Sequence, residues 1–167
     1  MLTGKNIAIF GLGKEGISAA NFLGKNNNIT LFDDKNESEI NKSQLKKLHI
    51  DCPVYYSEKL PNEAFDLVVR SPGVKITTPK LQRLIENGAK LTSPTKIFFE
   101  QCSAKIIGVT GTKGKGTTST LIYEFLKTTF PDVFLAGNIG LPALDVLPSI
   151  KKESIVVLEM SSFQLID

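Results

Sequence analysis

Chemistry in this chain concentrates in Gly111-Thr112-Lys113-Gly114-Lys115-Gly116-Thr117-Thr118. Glycines let backbone N–H groups converge on phosphate oxygens, and a lysine among them adds a full positive charge. A hydroxyl just after that lysine can hold Mg²⁺. The spacing departs from the common phosphate loop, which has four residues between its first Gly and a Gly-Lys pair, then Ser or Thr. Val109 holds the expected glycine position, Gly108 lies one residue too far back, and Gly116 follows Lys115. The hydroxyl comes one place later, at Thr117. Downstream, Glu159 ends an apolar run and is placed to hold Mg²⁺ opposite Thr117. Taken alone it reads equally well as a solvated strand-end glutamate.

A second constellation lies near the start. Gly11-Leu12-Gly13-Lys14-Glu15-Gly16 has the GxGxxG spacing and is followed by Asp33-Asp34. That pattern fits a dinucleotide site with an acid on a ribose, other nucleotide diphosphates, or a tight turn alone. Arg70-Ser71-Pro72-Gly73 forces a turn after an apolar run, and in isolation a plain turn is the simpler reading. The same holds for Asn138 in Gly137-Asn138-Ile139-Gly140. Ser161 and Ser162 could bind phosphate or cap a turn.

The elements needed to position these groups can be read from apolar periodicity. Strands are expected at Asn6–Phe10, Ile29–Phe32, Val54–Tyr56, Phe65–Val69, Ala89–Leu91, Ile106–Val109, Val133–Ala136 and Ser154–Leu158. Helices are expected over Ile17–Leu23, Ser38–Leu48, a stretch from Pro79 to Asn87-Gly88, Lys96–Gln101, Thr117–Lys127 and Pro142–Leu147. In the helix after the lysine, Leu121, Ile122, Phe125 and Leu126 recur at helical spacing. Thr92-Ser93-Pro94-Thr95 is polar, contains proline, and separates two βα series. The expected domains are therefore 1–91 and 96–167, joined by a linker at 92–95.

Bulk properties narrow the function classes. A length of 167 residues suits one ordinary domain or two small ones, and 41% hydrophobic with 22% charged residues is globular composition. A net charge of +3 without a Lys/Arg tract argues against nucleic-acid binding. Cys52 and Cys102 lie far apart and form no CxxC pair, which suits reduced thiols in the cytoplasm. No apolar run approaches the ~20 residues of a membrane span. No signal peptide is visible, because the chain enters a strand at once. His49 is the only histidine, which disfavours a histidine metal centre or a Ser/His triad.

Four separated segments carry a family resemblance. Gly111–Thr118 resembles the ATP loop of the Mur ligases, as do Gly137-Asn-Ile-Gly-Leu-Pro-Ala-Leu144 and Leu158-Glu-Met-Ser-Ser-Phe-Gln-Leu165. The last two most resemble the D-glutamate-adding branch, and Ile9–Gly16 with Arg70–Gly73 fits the same branch. The resemblance implies an α/β chain: a Rossmann-like parallel-sheet domain, then the front half of a P-loop ATPase domain. It implies ATP contacts from Thr112, Lys113, Gly114, Lys115, Gly116, Thr117 and Thr118. Lys115 would sit on the β/γ-phosphates, and Glu159 with Thr117 would hold Mg²⁺. Leu12, Gly13, Lys14, Glu15, Asp33, Asp34, Ser71, Pro72 and Gly73 would bind the UDP part of the substrate. Asn138, Ser161 and Ser162 would lie near its muramic acid or linking phosphates. The implied substrates are UDP-N-acetylmuramoyl-L-alanine and D-glutamate, joined in the cytoplasm through an acyl phosphate by a monomeric enzyme.

Two features depart from the pattern. Gly116 stands where a hydroxyl is usual, and Lys113 where Asn is usual; Lys115-Gly116-Thr117 instead resembles folylpolyglutamate synthase. The chain is also short for the family, so an inactive, aggregation-prone fragment with an open sheet edge is expected. The competing readings are a folylpolyglutamate synthase-like ligase, an NAD-dependent oxidoreductase and a non-catalytic nucleotide-binding protein.

Overall fold

The computed structural model describes residues 2–57, 60–61 and 63–165. The chain divides into two compact units, residues 1–94 and 95–167, each with its own parallel sheet.

The first unit contains β1 (Asn6–Phe10), α1 (Lys14–Leu23), β2 (Asn28–Asp33), α2 (Lys42–Leu45), β3 (Val54–Tyr56), β4 (Leu67–Arg70), α3 (Pro79–Glu86) and β5 (Lys90–Thr92). Its strands run parallel in the order β3-β2-β1-β4-β5. Ile7, Ala8, Ile9 and Phe10 of central β1 are all buried, as a continuous apolar run in a parallel sheet requires. Helix α1 buries Ile17, Ala19, Ala20 and Leu23, and α3 buries Leu81 and Leu84. Phe10, Phe32 and Tyr55 stand opposite one another in register across β1, β2 and β3. Their rings stack with centroids 5.0 and 5.5 Å apart. Each such pair adds about 0.5–1.5 kcal/mol beyond its buried area. The row lies one residue below Gly11 and Asp33, so it sets the level at which the chain leaves both strands.

Three expectations shift. Helix α1 starts at Lys14, three residues before Ile17, from an extended Gly13 cap. Strand β4 covers Leu67–Arg70, and Phe65 instead lies edge-on to Phe32. The single helix expected over Ser38–Leu48 is replaced by two separate turns. A 3-10 turn at Glu37–Glu39 ends at Ile40, whose ψ of 136° is extended, and α2 restarts after Asn41. Asparagines account for the break. Asn36 and Glu39 form a reciprocal capping box, and Asn41 Oδ1 accepts the Ser43 N–H at 3.0 Å. Such local bonds give the backbone an alternative to continuous helix.

The second unit contains α4 (Pro94–Gln101), β6 (Lys105–Val109), α5 (Lys115–Lys127), β7 (Val133–Gly137), α6 (Ala143–Val146) and β8 (Ile155–Glu159). The strand order is β6-β8-β7, all parallel. Val156, Val157 and Leu158 of central β8 are buried. Helix α5 begins at Lys115, two residues before Thr117, because Gly114 adopts φ +76 and caps it. Its apolar face is only partly covered. Ile122 and Leu126 are half-buried, whereas Leu121 and Phe125 are 66% and 75% exposed. Three strands offer the helix one narrow seam, at which Ser119 is fully buried.

Candidate functional site

In the second unit, Val109, Glu159 and Gly137 face one another in register at the carboxyl ends of β6, β8 and β7. The three chain exits are therefore held at one level, where open parallel sheets bind ligands. After β6 comes the glycine turn and α5. The Thr118 N–H donates to the Gly114 carbonyl at 2.9 Å and closes the first helical turn. The preceding N–H groups, of Lys115, Gly116 and Thr117, thus point out of the helix start, which is a seat for an anion. Thr118 contributes no backbone donor there, since its N–H is used by the helix. Thr112, Lys113, Gly114, Thr117 and Thr118 are exposed.

Lys115 Nζ lies 3.9 Å from Glu159 Oε1, and the Glu159 side chain is almost wholly buried. The Asn138 N–H donates to the Glu159 carbonyl at 3.1 Å, and the Met160 N–H donates to the Val109 carbonyl at 2.9 Å. Lys115, Glu159 and the start of the Gly137–Gly140 turn are thereby brought together. A Cβ added at Gly116 would meet Ile139 Cγ2 at 3.8 Å, an ordinary contact, so position 116 faces that turn. Thr117 is set about 100° further round the helix. Among the described residues no group of three or more His, Cys, Asp or Glu could enclose a metal ion. The buried Glu159 carboxylate and the hydroxyl of Thr117 on the turn at the same sheet edge are hard oxygen donors of the kind that suit Mg²⁺. That ion keeps several waters and shares its shell with substrate phosphates.

Ser161 and Ser162 follow β8. The Ser161 N–H and Oγ both reach Gln164 Oε1, at 2.7 and 3.1 Å. Gln164 Nε2 in turn donates to Thr95 Oγ1 at 3.1 Å, and both side chains are buried. Gln164 thus shapes the turn that carries Ser161, while Ser162 stays exposed.

The first unit gathers the other group of expected residues at the carboxyl ends of β1, β2 and β4. The turn after β1 is laced to both neighbours. The Gly11 N–H donates to the Phe32 carbonyl at 2.8 Å, and the Ser71 N–H donates to the Phe10 carbonyl at 3.0 Å. Ser71 Oγ donates to the Gly11 carbonyl at 3.3 Å. A Cβ at Gly16 would lie 1.8 Å from the Gly11 carbonyl oxygen, so this close approach admits only glycine. The Asp33 carboxylate accepts the Leu12 N–H at 2.9 Å and the Lys35 N–H at 3.0 Å. Each of its oxygens therefore already holds the backbone. Asp34 Oδ1 pairs with Lys80 Nζ at 3.1 Å. Gly13 and Lys14 are exposed, Glu15 and Pro72 half-buried, and Gly73 exposed. Arg70 is buried, with Nη1 donating to the Val74 carbonyl at 2.7 Å. At the end of β3, burial raises the Tyr56 phenol pKa above its usual value, and the charges of Glu37 and Asp33 add to the effect.

Gln164, Arg70 and Lys80 received no role from sequence reasoning. Gln164 lies in the Leu158–Leu165 segment, where an amide soon after an apolar strand is the available signal. Lys80 has no local signal, because its partner comes from a different βα unit.

Two parallel sheets, one with a glycine-rich turn after β1 and one with a glycine-lysine turn after β6, define an α/β protein of two βα-built units. Residues 5–93 match the family described as Mur ligase MurD-like, N-terminal domain, and residues 109–167 match the Mur ligase middle domain. The chain belongs to the Mur ligase family. It is 37% identical over 169 residues to the UDP-N-acetylmuramoylalanine–D-glutamate ligase of Caldicellulosiruptor bescii, covering 98% of this chain and 37% of the relative. It is 41% identical over 166 residues to the ligase of the same name from Clostridium tetani, covering 96% and 36%. The chain thus spans just over a third of the length of these curated relatives. Among solved structures, it is similar in fold to a Neisseria meningitides UDP-N-acetylmuramate:L-alanyl-gamma-D-glutamyl-meso-diaminopimelate ligase. There the TM-score is 0.58 at 21% identity, over 94% of this chain and 52% of that one. A Psychrobacter arcticus murein peptide ligase gives a TM-score of 0.56 at 23% identity, over 96% and 39%. No helix among the described residues is long and apolar enough to cross a membrane.

Proposed function

We propose that this chain is the nucleotide-handling part of a ligase that adds D-glutamate to UDP-N-acetylmuramoyl-L-alanine in the cytoplasm, using ATP and Mg²⁺. The observation that carries the reading is the meeting of Lys115, Glu159 and the Asn138 turn at one sheet edge. The identity to ligases of that name along nearly the whole chain supports it. The two units act as separate domains, one for the UDP-linked substrate and one for ATP, in a monomeric enzyme.

Residues 112–118 cradle the triphosphate, with the open N–H groups of Lys115, Gly116 and Thr117 on its oxygens and the Lys115 ammonium on the β/γ-phosphates. Glu159 and Thr117 hold Mg²⁺, which neutralises charge on the phosphate oxygens. Leu12 to Glu15, Asp33 and Ser71 to Gly73 seat the UDP part, with Asp34 at its rim; Asn138, Ser161 and Ser162 face the muramoyl end. The alanyl carboxylate oxygen attacks the γ-phosphorus of ATP, and the bond to the bridging oxygen breaks to release ADP. The amine of D-glutamate then attacks the acyl phosphate carbon. Phosphate leaves with the bonding electrons and the amine loses a proton to form the amide. The demands on the protein are position and charge neutralisation rather than a covalent nucleophile.

The test is phosphate release in a protein carrying these residues together with the remaining ligase length. Release should require ATP, D-glutamate and the UDP-linked substrate together, and Glu159→Gln should lower it at least about a hundredfold, the size expected for a charge-stabilising group. Release that ignores D-glutamate would reject the assigned reaction. Stable ATP binding without turnover would favour the non-catalytic reading.

A further inference from the structure

We infer that Lys80 is a further contact for the substrate's diphosphate, held over the crevice by Asp34 until the anion arrives. This rests on the reading of the first unit as a UDP site and deepens it.

Central β1 lies between β2 and β4, all three parallel, so their carboxyl ends open on one edge. The glycine turn leaves β1 there and leads into the start of α1, whose N–H groups form the anion seat. Asp34 follows the last residue of β2, and Lys80 is the second residue of α3, which follows β4. Their 3.1 Å ion pair therefore joins the two flanks of the turn across the end of β1. The Lys80 side chain is 26% exposed and that of Asp34 is 55% exposed, so the lysine stem is packed while its partner is wet.

Nothing in stability requires this arrangement. An exposed ion pair contributes little, about 0–1 kcal/mol. Its position is what matters. Asp33 already satisfies the Leu12 N–H, so the turn enters binding with one donor spent. Lys14 is the cation that the turn itself brings to the α1 start, and a diphosphate with two negative charges has room for a second from a neighbouring element. Lys80 is a cation already anchored at the crevice rim, and a doubly charged diphosphate competes for it with one solvated carboxylate. On binding, the ammonium passes from Asp34 to a phosphate oxygen without a change in backbone. Asp34 then acts through Lys80 rather than on the nucleotide.

Calorimetric titration of the chain with UDP and with uridine tests this. Lys80→Met keeps the stem and removes the charge. It should weaken UDP binding about fivefold, the size of one partly exposed charge-assisted hydrogen bond, and reduce its salt dependence. Uridine affinity should not change. Asp34→Asn removes the competitor and should tighten UDP binding about two- to threefold, again with uridine unaffected. A purely structural ion pair would move both variants in the same direction and both ligands alike, which would overturn the inference. Unchanged UDP affinity in Lys80→Met would overturn it too, while leaving the UDP site in place. No UDP binding by folded wild-type chain would reject the UDP reading itself.

Discussion

The two sheet edges are built on one plan and finished differently. In the first unit, the residues that frame the glycine turn bond to one another: Asp33 to Leu12 and Lys35, Ser71 to Gly11, Asp34 to Lys80. Beneath them the Phe10-Phe32-Tyr55 row and a five-stranded sheet close the core. In the second unit, the N–H groups at the start of α5 face outward and Thr117 and Lys113 are exposed. Among the described residues there, Phe99, Leu121, Phe125, Phe130, Leu141, Phe163 and Leu165 are exposed large apolar side chains. The first unit exposes only Leu2 and Ile76 of that kind among its described residues. A turn closed by its own bonds therefore stands on a five-stranded sheet, and an open turn on three strands.

Substitutions can break or sharpen that contrast. The largest effect is expected in the cores. Phe10→Ala should destabilise the first unit by about 3–5 kcal/mol in urea unfolding, because it removes a buried ring from a closed row. Phe125→Ala in the second should change stability by no more than about 0.5 kcal/mol, since that ring is already in water. Equal losses would erase the contrast.

Next in size is Asp33→Ala. It leaves the Leu12 N–H without its carboxylate, and a part-buried donor without a partner costs about 1–3 kcal/mol. Amide exchange at Leu12 should speed up strongly, while that at Thr118 should not. Gly116→Ser should be smaller and of opposite sign. The added Cβ finds only an ordinary contact with Ile139, and replacing glycine inside a helix gains about 0.5 kcal/mol. Thermal unfolding should move up slightly, not down.

The smallest effect concerns pH. The Asp66 carboxyl is held below its usual pKa, first by the Asn6 N–H and then by Lys5. A depressed folded pKa gives stability that is present above the unfolded value, near 3.8, and lost as pH falls through the folded value. Asp66→Asn should therefore flatten the acid limb of the stability curve without altering stability's slope near pH 7.

Much of this was legible because it is local. Apolar runs marked β1, β6 and β8, and the glycine-lysine spacing marked the anion seat. Glu159 could be set at the edge of the glycine-lysine turn, opposite Thr117, because strand-end acids and such turns share the carboxyl edge, whereas its 3.9 Å approach to Lys115 is seen only in the structure. What was not legible depends on competition or distance. Asn36 and Asn41 outbid a helical pattern through their own caps. Leu121 and Phe125 look like a core face, yet burial depends on how many strands lie beneath them. The Lys80–Asp34 pair and the Gln164–Thr95 bond join residues far apart in sequence, which no spacing encodes.

The account turns on the second unit's cradle, and one titration tests it most directly. A non-hydrolysable ATP analogue is added with Mg²⁺ to the wild-type chain and to Lys115→Ala, with circular dichroism confirming that both are folded. The account predicts one site in the wild type and at least about a hundredfold weaker binding in the variant, as befits the loss of a charge set among converging N–H groups. Equal affinity in the two proteins would contradict it.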